Sequence, residues 1–225
     1  MQDRFNSAVT RGNSSVMATN SVIRNTYILL SATVFFSAIT AGLAMANNVA
    51  PMNPLLFLAG IFGLSFLVRS TSNSSLGIVA VFAFTGFMGF TLGPILNAYM
   101  HAFSNGYQLV TTALGGTGVI FLSLSAYALN SKKDFNYLGG FLAAGMVTVL
   151  LAIVISLFTN STALDLMISS AVMLLMAGGI LYDTSRIIHG GEKNYINATV
   201  SLYMSIFNML LHLLRILSIL AGRRD

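Results

Sequence analysis

Seven polar residues recur at intervals of three and four from the edge of the last hydrophobic stretch, Tyr195–Ala221, and along it: Asn194, Asn197, Ser201, Ser205, Asn208, His212 and Arg215. At about 100° per residue they fall within an arc of about 80° on one helical face. Amides, hydroxyls, an imidazole and a guanidinium in such a row can exchange hydrogen bonds, hold water or steady a charge. Hydrocarbon satisfies none of them, so the row must face other protein or a wet cavity.

Asp183 and two members of the row, Arg215 and His212, stand at depths where a charge needs an explanation. Asp183, in Leu181-Tyr-Asp-Thr-Ser-Arg186, lies near the end of the sixth apolar run. It reads either as a functional carboxylate or as a helix-end partner of Arg186, three residues on. Arg215 requires a partner or an aqueous opening, unless it snorkels to the headgroups. His212 reads as a group titrating near neutrality or as a hydrogen-bonding member of the row. Asp165, three residues after Thr162, has the spacing of a helix N-terminal cap.

The inventory excludes much else. The chain has no Cys, so disulfides, thiolate metal sites and a cysteine nucleophile are out. With 3 His and 6 Asp+Glu, mostly scattered, it offers no His-Glu-x-x-His set and no serine, base and orienting acid in a recognisable pattern. The expectation is a non-enzyme with no catalytic residue, no metal and no cofactor. The balance of 11 Lys+Arg against 6 Asp+Glu is basic, but in a membrane protein that reflects loop cations rather than affinity for nucleic acid.

The elements that must position these groups are membrane helices. Of 225 residues 56% are hydrophobic and 8% charged, with mean hydropathy +0.81. A soluble globule of that composition would lack charge for its surface. Residues 1–23 are polar and Ser/Asn/Thr-rich, with no cleavable signal pattern, and read as a disordered cytoplasmic tail. Residues 24–225 read as a transmembrane domain of seven helices, placed at Thr26–Ala46, Leu55–Val68, Leu76–Met100, Tyr107–Leu129, Phe135–Phe158, Leu164–Ile188 and Tyr195–Ala221. The second is short, and either begins within Pro51-Met-Asn-Pro54 or runs past Arg69.

Loop cations set the expected orientation. With the tail inside, Arg4, Arg11, Arg24, Arg69, Lys132, Lys133, Arg186 and Lys193 all lie on the cytoplasmic side. Seven crossings then leave Arg223 and Arg224 outside, against the rule; full crossing is the preferred reading. Glycines inside the spans read as close-packing sites. Gly93-Pro94 predicts a kink or break in the third helix.

Several stretches together carry a resemblance. Phe82-Ala-Phe-Thr-Gly-Phe-Met-Gly-Phe-Thr-Leu-Gly-Pro-Ile-Leu-Asn97, Ile180-Leu-Tyr-Asp-Thr-Ser185 and Ser201-Leu-Tyr-Met-Ser205 resemble the Bax inhibitor-1 family of seven-helix membrane proteins. Arg24-Asn-Thr-Tyr27, Leu138-Gly-Gly140, Ile187-Ile-His-Gly-Gly-Glu192 and Asn194-Tyr-Ile196 extend it to a bacterial branch that modulates the membrane-anchored AAA protease FtsH. The resemblance implies an all-α inner-membrane protein whose seventh helix is central and surrounded by six, with FtsH and its prohibitin-like membrane partners as company. Channel-like relatives are pH-sensitive calcium leaks in which two aspartates share a proton, a pairing that suits a sensor because adjacent carboxylates do not readily both ionise. Here one aspartate corresponds to Asp183, but the other position is Ser205. The dyad is incomplete, and Asp183 is left to Ser205, Arg69 or Arg186.

Overall fold

The computed structural model describes residues 2–222 apart from Lys132 and Asn160, with side chains from residue 19 onward. The expectations for Lys132 and for the Arg223-Arg224-Asp225 terminus therefore lie outside the described residues. The chain is all-helical: α1 Gln2–Ala46, α2 Pro54–Thr71, α3 Leu76–Ala102, α4 Gly106–Ser131, α5 Leu138–Ser156, α6 Thr162–Ile188 and α7 Tyr195–Ala221. All seven are long and apolar enough to cross a membrane, α1 through its portion Thr19–Ala46. The backbone of α1 is already helical from Gln2, upstream of the expected start at Thr26. The segment before the span holds no proline and a single glycine, Gly12, so nothing in it terminates a helix that the span has nucleated.

The helix ends follow from local chemistry. Asn53 accepts the Leu55 N–H at 2.9 Å and Pro54 opens α2, because proline at the first turn forfeits no hydrogen bond. α2 then runs past Arg69 to Thr71, so both extensions considered for the short span occur together. The cap of α6 is Ser161, which accepts from Leu164 N at 3.3 Å; Thr162 is already inside the helix. At its other end Gly190 takes φ 73°, the left-handed conformation that turns the chain out of a helix, and Glu192 N donates to Arg186 O at 3.0 Å.

α1 and α3 run parallel and close. A side chain on Gly86 would strike Phe36, one on Gly89 would strike Ser37 and Thr40, and one on Gly93 would strike Ala41 and Ala44. These three glycines, spaced three and four apart, form one face of α3 and let the backbones approach where dispersion is the main cohesive force. The expected break at Gly93-Pro94 is absent: α3 continues through Pro94 to Ala102. Proline removes the bond to the Phe90 carbonyl, but a membrane helix clamped along its flank keeps its remaining bonds for want of water to replace them.

The buried core joins α1, α3, α4, α6 and α7 through residues such as Leu30, Phe84, Met88, Ala113, Ile180, Leu202 and Leu214. α7 packs against α1, α2, α3, α4 and α6, whereas α5 meets α6 alone among the described residues. Among the described residues α7 thus has five helical neighbours, with α5 not among them.

Candidate functional site

The connection of six residues between α6 and α7, 189–194, forces an antiparallel hairpin, so residues equidistant from its midpoint face each other. Asp183 meets Ser201, whose hydroxyl donates to Oδ2 at 2.5 Å. One turn deeper, Ser205 is buried against Gly179, where an added Cβ would stand 3.4 Å from Ser205 Oγ. At the far end Arg215 Nη2 meets Asp165 Oδ2 at 2.6 Å. The polar row of α7 is therefore matched along α6 by a carboxylate, a glycine and a second carboxylate.

This corrects several expectations. The donor to Asp183 is Ser201, a member of the row not singled out, instead of Ser205, Arg69 or Arg186. Arg186 turns to the loop, 3.7 Å from Glu192 and 3.3 Å from the Gly191 carbonyl, with its guanidinium 5.6 Å from the Tyr182 ring. Arg69 is exposed in the last turn of α2, where the helix dipole favours a cation. Among the described residues the ion pairs are Arg186–Glu192 and Arg215–Asp165. So Arg215 finds a partner, and Asp165 is that partner as well as a first-turn acid of α6, favourably placed at the positive end of the dipole.

Asn208 donates to the Met204 carbonyl at 2.8 Å. His212 is half-buried, with Nδ1 enclosed and without a hydrogen-bond partner. Gly93 and Pro94 lie on α3 away from this hairpin; Pro94 borders a small apolar cleft of 170 Å³ with Val49, Met52, Leu56 and Phe90.

Two anchors escaped sequence reasoning. The Tyr203 hydroxyl donates to Thr85 O at 3.3 Å and so must accept from Ser37 Oγ at 2.7 Å. One side chain thereby ties α7 to both α1 and α3. Asn194 caps α7 by accepting from Ile196 N at 2.9 Å and Asn197 N at 3.3 Å, while its amide donates to Ser72 O at 3.0 Å and Asn73 Oδ1 at 2.9 Å. The cap was legible from its residue type; its second use, pinning the α2–α3 connection, was not.

A cluster of Ser185, His189 and Asp134 invites comparison with a hydrolytic triad. Ser185 Oγ lies 3.2 Å from His189 Nδ1 and 3.5 Å from Asp134 Oδ1. However, the same Nδ1 faces the Ser185 carbonyl at 2.9 Å, the carboxylate contacts the serine instead of the histidine, and Ser185 is fully buried. That geometry neither orients a base nor exposes a nucleophile. Since Ser185 Oγ also accepts from Phe135 N at 2.8 Å, the cluster fastens the α4–α5 connection to the end of α6.

Against known families, residues 19–222 match the model described as Bax1-I, inhibitor of apoptosis-promoting Bax1. The chain belongs to the Bax1-I family. Among Bax1-I relatives, "Modulator of FtsH protease YccA" of Escherichia coli K12 is 48% identical over 203 residues, covering 90% of this chain and 92% of the relative. The counterpart in E. coli O6:H1, 48% identical over the same shares, is named "Inner membrane protein YccA". An uncharacterized membrane protein of Vibrio cholerae is 48% identical over 91% of this chain and 92% of its own length. Seven apolar spans and an inner-membrane relative of this identity make the Bax1-I chain a multi-pass inner-membrane protein.

Proposed function

We propose that this chain binds the FtsH protease in the inner membrane and modulates it, as a substrate-like inhibitor or regulator with no catalytic activity of its own. The observation that carries this reading is the 48% identity, across 90% of the chain, to a relative named as a modulator of that protease. The α1–α3 glycine face and the α6–α7 hairpin fall within residues 19–222, the span that matches the family. The chain's N-terminal segment, residues 1–23, extends on the cytoplasmic side and gives the protease something to grip. Prohibitin-like membrane partners of FtsH complete the assembly.

The test is truncation. Removing about half of residues 1–23 leaves a protein that folds and co-purifies with FtsH but resists degradation, so it accumulates and slows turnover of other FtsH substrates. Unchanged turnover of the truncated chain would refute the grip; absence of FtsH from the purified full-length chain would refute the partnership.

The other family activity, a pH-sensitive calcium leak, is the weaker reading. Position 205 carries a hydroxyl, and Asp183 makes its hydrogen bond to Ser201, so the carboxylate pair on which such gating rests is missing.

A further inference from the structure

Between Asn197 and Arg215 every buried residue of α7 lies outside one strip. Ala198, Thr199, Leu202, Tyr203, Ser205, Phe207, Met209, Leu210 and Leu214 are buried, whereas Asn197, Met204, Asn208 and Leu211 are half-buried and Ser201 and Arg215 exposed. At about 100° per residue these six occupy an arc of about 80°, flanked by half-buried Val200 and His212, while half-buried Ile206 and Leu213 lie on the opposite face against the core. The least covered side of α7 thus carries Asn197, Ser201, Asn208 and Arg215 of the polar row together with Met204 and Leu211, while Ser205 is buried beside Gly179 of α6. The gap arises because α5 packs on α6 alone and leaves no helix over this side.

Other uncovered helix faces look different. α5 turns Phe141, Val147, Leu150, Leu151 and Val154 outward, and α2 turns Leu55, Phe62 and Phe66 outward; these are side chains that lipid solvates well. The α7 strip presents two amides, a hydroxyl and a guanidinium. Asn208 is the fourteenth of the 27 residues of α7, which puts it about 20 Å from either end at about 1.5 Å per residue. Its amide spends one N–H on the Met204 carbonyl, leaving a donor and an acceptor at mid-membrane depth, where neither headgroups nor snorkelling can reach them.

We propose that this strip is the docking surface for one transmembrane helix of the partner protease, carrying hydroxyl or amide side chains level with Asn208 and Ser201. The inference rests on the FtsH reading above and adds to it the surface used. Two observations favour a foreign helix. The strip's charges are already balanced internally, Arg215 by Asp165 at 2.6 Å, so the recognition that remains is neutral donor–acceptor pairing. A second copy would bring one Asp183 toward another at matching depth, which like charge disfavours.

The chain lacks Cys, so single cysteines can carry a benzophenone photocrosslinker without background. Asn197→Cys, Met204→Cys and Leu211→Cys are compared with Leu150→Cys on the α5 lipid face, in membranes containing FtsH. The expected result is an adduct recognised by anti-FtsH antibody from the three strip positions and none from position 150. In parallel, Asn208→Leu lowers co-purified FtsH about 3- to 10-fold, as loss of an interhelical hydrogen bond in lipid does, while Asn208→Gln retains most of it; both variants keep the parent's melting temperature in detergent. Adducts the size of two copies of this chain, or strip cysteines that react with a water-soluble maleimide and give no adduct, overturn the docking surface. If FtsH still co-purifies with the parent chain in those cases, the partnership stands and only its location falls. If FtsH is absent altogether, both fall.

Discussion

Tyr203 illustrates how much a single side chain settles in a bilayer. Its one proton goes to the Thr85 carbonyl, and its oxygen receives the proton of Ser37. Phe84 meets the same ring edge-on at 6.2 Å. Lipid offers no replacement for either hydrogen bond, so Tyr203→Phe strands the Ser37 hydroxyl and should cost about 1–2 kcal/mol. Thermal unfolding in detergent measures this. Adding Ser37→Ala should recover part of the loss, because the hydroxyl left without an acceptor is removed with it.

Among the elements, α3 depends on what its glycines lack. Gly89→Ala pushes a methyl group into the backbone carbonyl of Ser37 and into the Thr40 hydroxyl that donates to that carbonyl, and should destabilise by about 1–3 kcal/mol. Gly63→Ala in α2, with nothing within 4 Å of the added carbon, should be neutral or stabilising by up to about 1 kcal/mol, since alanine is the better helix former. The same unfolding assay separates them, and equal effects would show that α1 and α3 are not held by this face. The α6–α7 hairpin is the other decisive element. Its short connection sets the register that brings Asp183 to Ser201 and Asp165 to Arg215.

For the whole molecule, the question is whether the bundle conducts. Asp183 and Ser205 lie one helical turn apart in register on the α6–α7 interface, with Ser205 buried against Gly179. The parent chain reconstituted in liposomes should therefore show no acid-dependent calcium flux by an enclosed dye, and Asp183→Asn should behave the same. Ser205→Asp restores the second carboxylate and is the variant in which such flux should emerge. A leak in the parent chain that Asp183→Asn abolishes would make one aspartate sufficient and reverse the preference for the protease-modulating reading.

The sequence by itself determined the class of the protein and most of its helix positions, because hydrophobic length and loop cations act locally; the bounds of α7 coincide with the apolar run at both ends. It also determined the polar row, since helical periodicity alone aligns Asn197, Ser201, Asn208 and Arg215. Of the kink or break it predicts at Gly93-Pro94, the break does not occur, since α3 continues through the pair with α1 packed along Gly93. What only the tertiary structure decided was which atoms meet across helices: Ser201 rather than Ser205 at Asp183, Asp165 at Arg215, and Tyr203 against Ser37 and Thr85. Those meetings depend on rotation and register between segments far apart in the chain. The same is true of the open side of α7, which exists because α5 docks on α6 and nowhere else among the described residues.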